Sequence, residues 1–164
     1  TLGCVDGGML ENISISHVQM DQVRVPFCIR LGDRGRPIHG SEQHLPVQFA
    51  RHIRLSGIQA VGASPCGCHI TGLPDAMIED VTIEDCLMEF EGGGQLAPPP
   101  PLRREGYPAC DMYGTHLPSY AVYARHVRGL SLANLRTRLR EPDPRPALAW
   151  QECQEVRLHA AATD

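Results

Sequence analysis

A six-residue hydrophobic pattern recurs along the chain: apolar, any, apolar, any, any, apolar. It reads Ile13-Ser14-Ile15-Ser16-His17-Val18, then Ile53-Arg54-Leu55-Ser56-Gly57-Ile58. It returns as Val81-Thr82-Ile83-Glu84-Asp85-Cys86 and as Leu130-Ser131-Leu132-Ala133-Asn134-Leu135, with a weaker fifth copy beginning Val156-Arg157-Leu158. Alternation with a period of two predicts strands with one buried and one wet face. The fifth position holds His17, Gly57, Asp85 or Asn134. Gly and Asn tolerate the left-handed backbone that a bend requires. A second short strand accompanies the copies, with candidates at Pro26–Leu31, Cys66–Ile70, Tyr120–Ala124 and Ala147–Trp150.

A unit of strand, bend, strand and loop cannot hide its own apolar face, so such units stack. The pattern therefore predicts an all-β fold. Its expected form is one right-handed parallel β-helix (β-solenoid) of four to five coils, spanning residues 1–164 as a single domain. A β-sandwich is the alternative, but the Asn-Gly hairpin signal it would carry is missing from the sequence. Two insertions interrupt the stack. One covers about residues 32–46 and carries Asp33, Arg34, Arg36, His39 and His44. The other covers about 92–118 and contains three consecutive Gly, Pro98 to Pro101, and Arg103-Arg104-Glu105. A proline run favours an extended, exposed conformation, and long loops in compact folds are frequently functional.

Composition narrows the function. The 15 basic residues are all Arg, against 19 acidic residues, for a net charge of −4. A general nucleic-acid binder would be net basic, so no nucleic-acid partner is expected. A local Arg-lined groove for a carboxylate-bearing ligand remains open, because guanidinium grips carboxylate bidentately. No run approaches the ~18 apolar residues of a membrane span, and no membrane partner is expected. The seven Cys are an odd number without the framework of a small secreted domain; they do not decide the compartment.

Several segments resemble a known family. They are Asp6-Gly7-Gly8-Met9-Leu10-Glu11-Asn12-Ile13-Ser14-Ile15, Pro26 through Arg36, Ile70-Thr71-Gly72-Leu73-Pro74 with Ile78-Glu79-Asp80-Val81-Thr82-Ile83, and Leu117-Pro118-Ser119-Tyr120-Ala121 with Tyr123-Ala124-Arg125-His126-Val127. In this order they resemble glycoside hydrolase family 28, the polygalacturonase-like enzymes that degrade pectin. The resemblance implies a parallel β-helix and hydrolysis of galacturonan or rhamnogalacturonan by inversion, one carboxyl protonating the leaving oxygen and another activating water. The family's Asn-Thr-Asp, Asp-Asp, Gly-His-Gly and Arg-Ile-Lys signatures are missing here. The expectation is therefore the C-terminal coils of a longer enzyme, with the catalytic carboxylates upstream and this chain inactive by itself. No catalytic residue is nominated, and the echo of Arg-Ile-Lys in Ile29-Arg30-Leu31 falls one coil too late to carry that role. The alternative is a non-catalytic β-solenoid that binds acidic glycans or serves as an interaction module. A polymer substrate implies an extracellular or periplasmic setting, with the cytoplasm as alternative.

Arg30, Asp33, Arg34 and Arg36 are the nominated substrate-binding cluster, a cleft rim pairing a galacturonate carboxylate; loop-bracing Arg–Asp pairs are the competing reading. Asp6 before Gly7-Gly8 suits a turn cap better than a catalytic carboxylate. Cys66-Gly67-Cys68-His69 lacks the second knuckle of a zinc site, so no metal and no cofactor is expected. Arg136, Arg138 and Arg140 share one strand face, either a polyanion track or a solvated surface. Tyr113 and His116 are weaker candidates for sugar contact. An acidic polysaccharide or oligosaccharide is the expected partner. Self-association through an exposed N-terminal coil edge is the expected hazard.

Overall fold

The computed structural model describes residues 1–37, 43 and 45–163. Among them the regular structure is strand: β1 (Leu2–Cys4), β2 (Leu10–Ser16), β3 (Gln19–Asp21), β4 (Cys28–Leu31), β5 (Ala50–Ser56), β6 (Gln59–Ala63), β7 (Cys68–Thr71), β8 (Ile78–Phe90), β9 (Val122–Arg125), β10 (Val127–Leu139), β11 (Leu148–Gln151) and β12 (Arg157–His159). One sheet has the order β1-β4-β7-β9-β11. The other has the order β12-β10-β8-β5-β2, with β6 pairing β8 and β3 pairing β6. All of these strand pairings are parallel, which leaves no place for the hairpins of a β-sandwich.

This corrects the expected architecture. In place of one right-handed β-helix of four to five coils, the described strands assort into two parallel sheets of five and seven strands. The reason lies at the bend position. His17, Gly57, Asp85 and Asn134 do take positive φ, at 56°, 62°, 53° and 47°. Yet β8 and β10 run unbroken through Asp85 and Asn134 for 13 residues each. Both halves of those repeats thus stay in one sheet. The second-strand candidates supply β4, β7, β9 and β11 of the other sheet.

The two sheets share one core. Ile13 pairs with Ile53, Ile53 with Val81, and Val81 with Leu130, so the repeat's first position forms a continuous row. Ile15, Leu55, Ile83, Leu132 and Leu158 form another. Ile29, Ile70 and Val122 from the five-stranded sheet join the same apolar cluster. Each fully buried side chain of this kind contributes roughly 1.5–3 kcal/mol. Row ends are less covered: Ile53, Val81 and Leu130 are buried, whereas Ile13 is half-buried.

Both insertions leave strand structure, one between β4 and β5 and one between β8 and β9. They dock on each other, since the Asp33 amide donates to the Arg104 carbonyl at 2.8 Å. His39 and His44 lie outside the described residues.

Candidate functional site

Where the insertions meet, Arg104 holds two carboxylates. Its Nη1 and Nη2 donate to Asp75 Oδ1 and Oδ2, each at 2.7 Å, and its Nε donates to Asp33 Oδ2 at 3.1 Å. Asp75 sits in a tight turn closed by reciprocal amide–carbonyl bonds between Leu73 and Ala76, at 2.9 and 3.1 Å. That turn presents Asp75 as a bidentate acceptor, the arrangement guanidinium favours. The Arg104 hydrogen bonds hold the Asp75 carboxyl down at about 2. In return Asp75, and then Asp33, push the Arg104 guanidinium further up.

These residues line an open cleft of roughly 720 Å³, together with Glu79, Arg128 and Gln154. Arg128 Nη1 donates to Glu79 Oε1 at 3.0 Å, and its Nε donates to Gln154 Oε1 at 3.2 Å. Asp33, Asp75 and Glu79 therefore each accept from a guanidinium. A general acid for glycoside cleavage must keep its proton near neutral pH, and Asp75, clamped by Arg104, is driven the opposite way. The cleft offers charged acceptors, planar donors and an amide, which is a surface for hydroxyl groups.

The nominated cluster is split by this geometry. Asp33 lies in the cleft. Arg30, on β4, is 2% exposed, on the face opposite the core residues Ile29 and Leu31 and covered by the second insertion. Its Nη1 donates to Met112 Sδ at 2.9 Å, and its Nη2 donates to the carbonyls of Arg103 and of Gly106. It is a strut beneath the second insertion, and burial pulls its guanidinium below the ordinary range. Arg34 clamps Asp6, with Nε 2.9 Å from Oδ1 and Nη2 on Oδ2. The Arg36 amide adds a bond of 3.0 Å to Asp6 Oδ1. Arg34 also lies over the Tyr107 ring, 5.3 Å from its centroid. Asp6 thereby fastens the start of the first insertion. The hydrogen bonds from Arg34 keep its carboxyl at about 2, which leaves it no proton to give.

The other candidates resolve into structural roles. Cys68 is fully enclosed, and burial pushes its thiol up. His69 Nε2 donates to the Cys110 carbonyl at 3.2 Å, Nδ1 lies 3.4 Å from Thr71 Oγ1, and the ring meets Tyr113 edge-on at 5.1 Å. Burial, with Arg30 nearby, lowers the imidazole to about 4. Tyr113 is thus engaged from inside, and His116 Nδ1 turns back to the Tyr113 carbonyl at 3.3 Å. Among the described residues no group of three or more His, Cys, Asp and Glu could hold a metal ion. Arg136 and Arg138 are exposed without an ion pair among the described residues, while Arg140 pairs with Glu89 at 2.5 Å.

Two participants escaped sequence reasoning. In the sequence Arg104 stands out only as part of an Arg-Arg-Glu run after the prolines, and Asp75, the residue after Leu73-Pro74, is not singled out at all. Their pairing joins β7's exit to an insertion 29 positions later, a separation that local pattern does not encode. No family model, curated protein or solved structure matches this chain.

Proposed function

We propose that the chain is the saccharide-engaging part of a pectin-type polysaccharide hydrolase, forming one wall of a substrate cleft while the acid and base lie outside it. The observation that carries this reading is the Asp33–Arg104–Asp75 triad at the junction of the two insertions, opening on a cleft whose carboxylates all accept from Arg. Ionised carboxylates, guanidinium and amide groups meet sugar hydroxyls well, because each hydroxyl both donates and accepts. Export from the cytoplasm belongs to the reading, since a polymer substrate is met outside the cell.

A second reading is a non-catalytic module for acidic glycans, and one observation favours it. In the cleft a uronate must share its guanidinium with an existing carboxylate partner. Arg136 and Arg138 have no such competitor among the described residues, so they can pair a carboxylate outright.

Both readings are tested by incubating the chain with polygalacturonate and with neutral pectic oligosaccharides. The expected outcome is binding without release of reducing sugar. Loss of binding in Arg104→Gln supports the cleft, and loss in Arg136→Gln/Arg138→Gln supports the strand face. Release of reducing sugar by the isolated chain overturns the placement of the acid and base, and failure to bind any saccharide overturns both readings.

A further inference from the structure

The two arginines after the proline run are used differently. Arg104 carries two carboxylates in the cleft. Arg103 is exposed and, among the described residues, its guanidinium has neither an ion pair nor a hydrogen-bond acceptor. It lies over the Tyr113 ring, 6.0 Å from the centroid. A cation in that position is held by the ring's quadrupole and spends no N–H donor there.

Arg103, Tyr113 and His116 line a pocket of about 260 Å³ whose remaining wall is Ala97 and the run from Pro98 to Pro101. The walls are braced from beneath. Arg125 of β9 donates from Nη1 to the Pro100 carbonyl at 3.0 Å, and the buried Arg30 of β4 donates to the Arg103 carbonyl. Tyr113 meets His69 of β7 edge-on at 5.1 Å. β4, β7 and β9 each have a paired strand on both sides, so the pocket sits over the middle of the five-stranded sheet. Walls fixed before binding cost less to order when a ligand arrives.

The lining selects by charge and by polarity. It holds Arg103 and His116 and no carboxylate, so the charge that complements it is negative. A carboxylate meets the guanidinium fork through two parallel bonds in one plane. Away from Arg103 the walls offer little to hydroxyl groups. Proline has no backbone N–H, and its side chain, like that of alanine, has no polar atom. His116 Nδ1 is already turned to the Tyr113 carbonyl at 3.3 Å. A saccharide ring would leave most of its hydroxyls desolvated and unmet. Proline and tyrosine rings suit a planar apolar ring instead, and an apolar cavity of about 150 Å³ is enough to hold benzene.

The geometry points to a binding site for a small aryl carboxylate, with Arg103 on the carboxylate and the proline run and Tyr113 against the ring. The site is separate from the saccharide cleft, and its test is independent of whether that cleft binds a sugar.

The test titrates the 164-residue chain with benzoate, followed by ligand-observed saturation-transfer NMR, beside acetate, benzyl alcohol and galacturonate. Acetate keeps the charge without the ring, benzyl alcohol the ring without the charge, and galacturonate the charge on a hydroxylated ring. Benzoate is expected to bind about tenfold more tightly than each of the three, with NOEs from its ring protons to proline ring protons. Arg103→Gln removes the charge at an exposed position, and Ala97→Phe fills the pocket while Arg103 stays in place; far-UV circular dichroism checks that both fold. Each variant is expected to weaken benzoate by about tenfold. Absence of benzoate binding overturns the inference. So does acetate binding as well as benzoate, which would make Arg103 a bare surface cation. Benzyl alcohol binding as well as benzoate overturns the role of Arg103, and galacturonate binding as well would make the pocket a saccharide subsite. Benzoate affinity unchanged in either variant overturns it too.

Discussion

Arg145 and Asp143 form an ion pair at 2.8 Å in which neither side chain reaches solvent. Arg145 also donates to the Pro65 carbonyl at 2.8 Å and to the Thr115 and Leu117 carbonyls at 3.4 Å each. Asp143 accepts the Gly94 amide at 2.9 Å. Burial pushes the Asp143 carboxyl up, but the bonds from Arg145 and Gly94 outweigh it and hold the group ionised. The pair thus rivets both ends of the second insertion to the β10–β11 connection. A Cβ on Gly94 would fall on the Arg145 guanidinium.

Arg145→Met strands a buried carboxylate and is expected to cost about 3–5 kcal/mol. Replacing both partners with apolar side chains is expected to recover much of that loss, because the desolvation cost of the charges disappears with them. Urea unfolding at neutral pH checks both, read as a shift in midpoint at unchanged slope.

Much of the strand layout was legible because it is local. Ile13, Ile53, Val81 and Leu130 announce their common row through period-two alternation. His17, Gly57, Asp85 and Asn134 announce a left-handed corner through residue type or position. The assortment into two sheets was not legible. It depends on whether β8 and β10 break at Asp85 and Asn134, and nothing in the six-residue pattern records that a strand continues through a positive φ. Arg30 misled for a related reason: an Arg flanked by Ile29 and Leu31 on a short strand gives no sign that its Nη2 donates to carbonyls of Arg103 and Gly106, over 70 positions away.

The corner positions make a backbone prediction. Gly57 has φ 62°, and a Cβ there would meet only ordinary contacts at 3.5 Å and beyond. Gly57→Ala therefore isolates the cost of the left-handed conformation, roughly 1–2 kcal/mol. Replacing Asp85, at φ 53°, by Gly relieves that strain but loses the bond from Asn134. Its net effect is expected to be smaller than that of Gly57→Ala. Thermal unfolding of the two variants side by side checks the order.

Acid titration separates into two windows. His69 is held down at about 4 in the fold by burial, below its ordinary 6.5. The unfolded chain therefore binds its proton first, and stability rises with pH between those values. It is complete above about pH 6.5 and is lost as pH falls through about 4. His126, lowered chiefly by burial, acts with the same sign. Asp6 and Asp75, held at about 2 chiefly by Arg34 and Arg104, add a second loss only below about pH 3.8. His69→Gln is expected to flatten the upper window and leave the lower one, as read by urea unfolding at stepped pH.

Asp75 separates binding from scaffolding. Its pair with Arg104 is largely exposed, at 59% and 38% for the two side chains. Solvent screening limits such a pair to about 0–1 kcal/mol. Asp75→Asn is expected to leave the unfolding midpoint almost unchanged. Saccharide affinity is expected to fall by about tenfold, the equivalent of one hydrogen bond to a charged group. A large drop in stability would instead make the Asp33–Arg104–Asp75 triad a brace for the insertions.

The strongest physical contrast lies along one row. Ile53 is 1% exposed between Ile13 and Val81, whereas Ile13 is half-buried and, among the described residues, has a paired neighbour on one side only. Ile53→Ala leaves a cavity walled by both adjacent rungs and is expected to cost about 2–5 kcal/mol. Ile13→Ala loses less, because part of its surface is already wet and the site can relax toward solvent. The cost of Ile13→Ala is therefore expected to be about half that of Ile53→Ala or less. Urea denaturation of both variants beside the parent chain measures the difference, and equal losses would mean that Ile13 is as enclosed as Ile53.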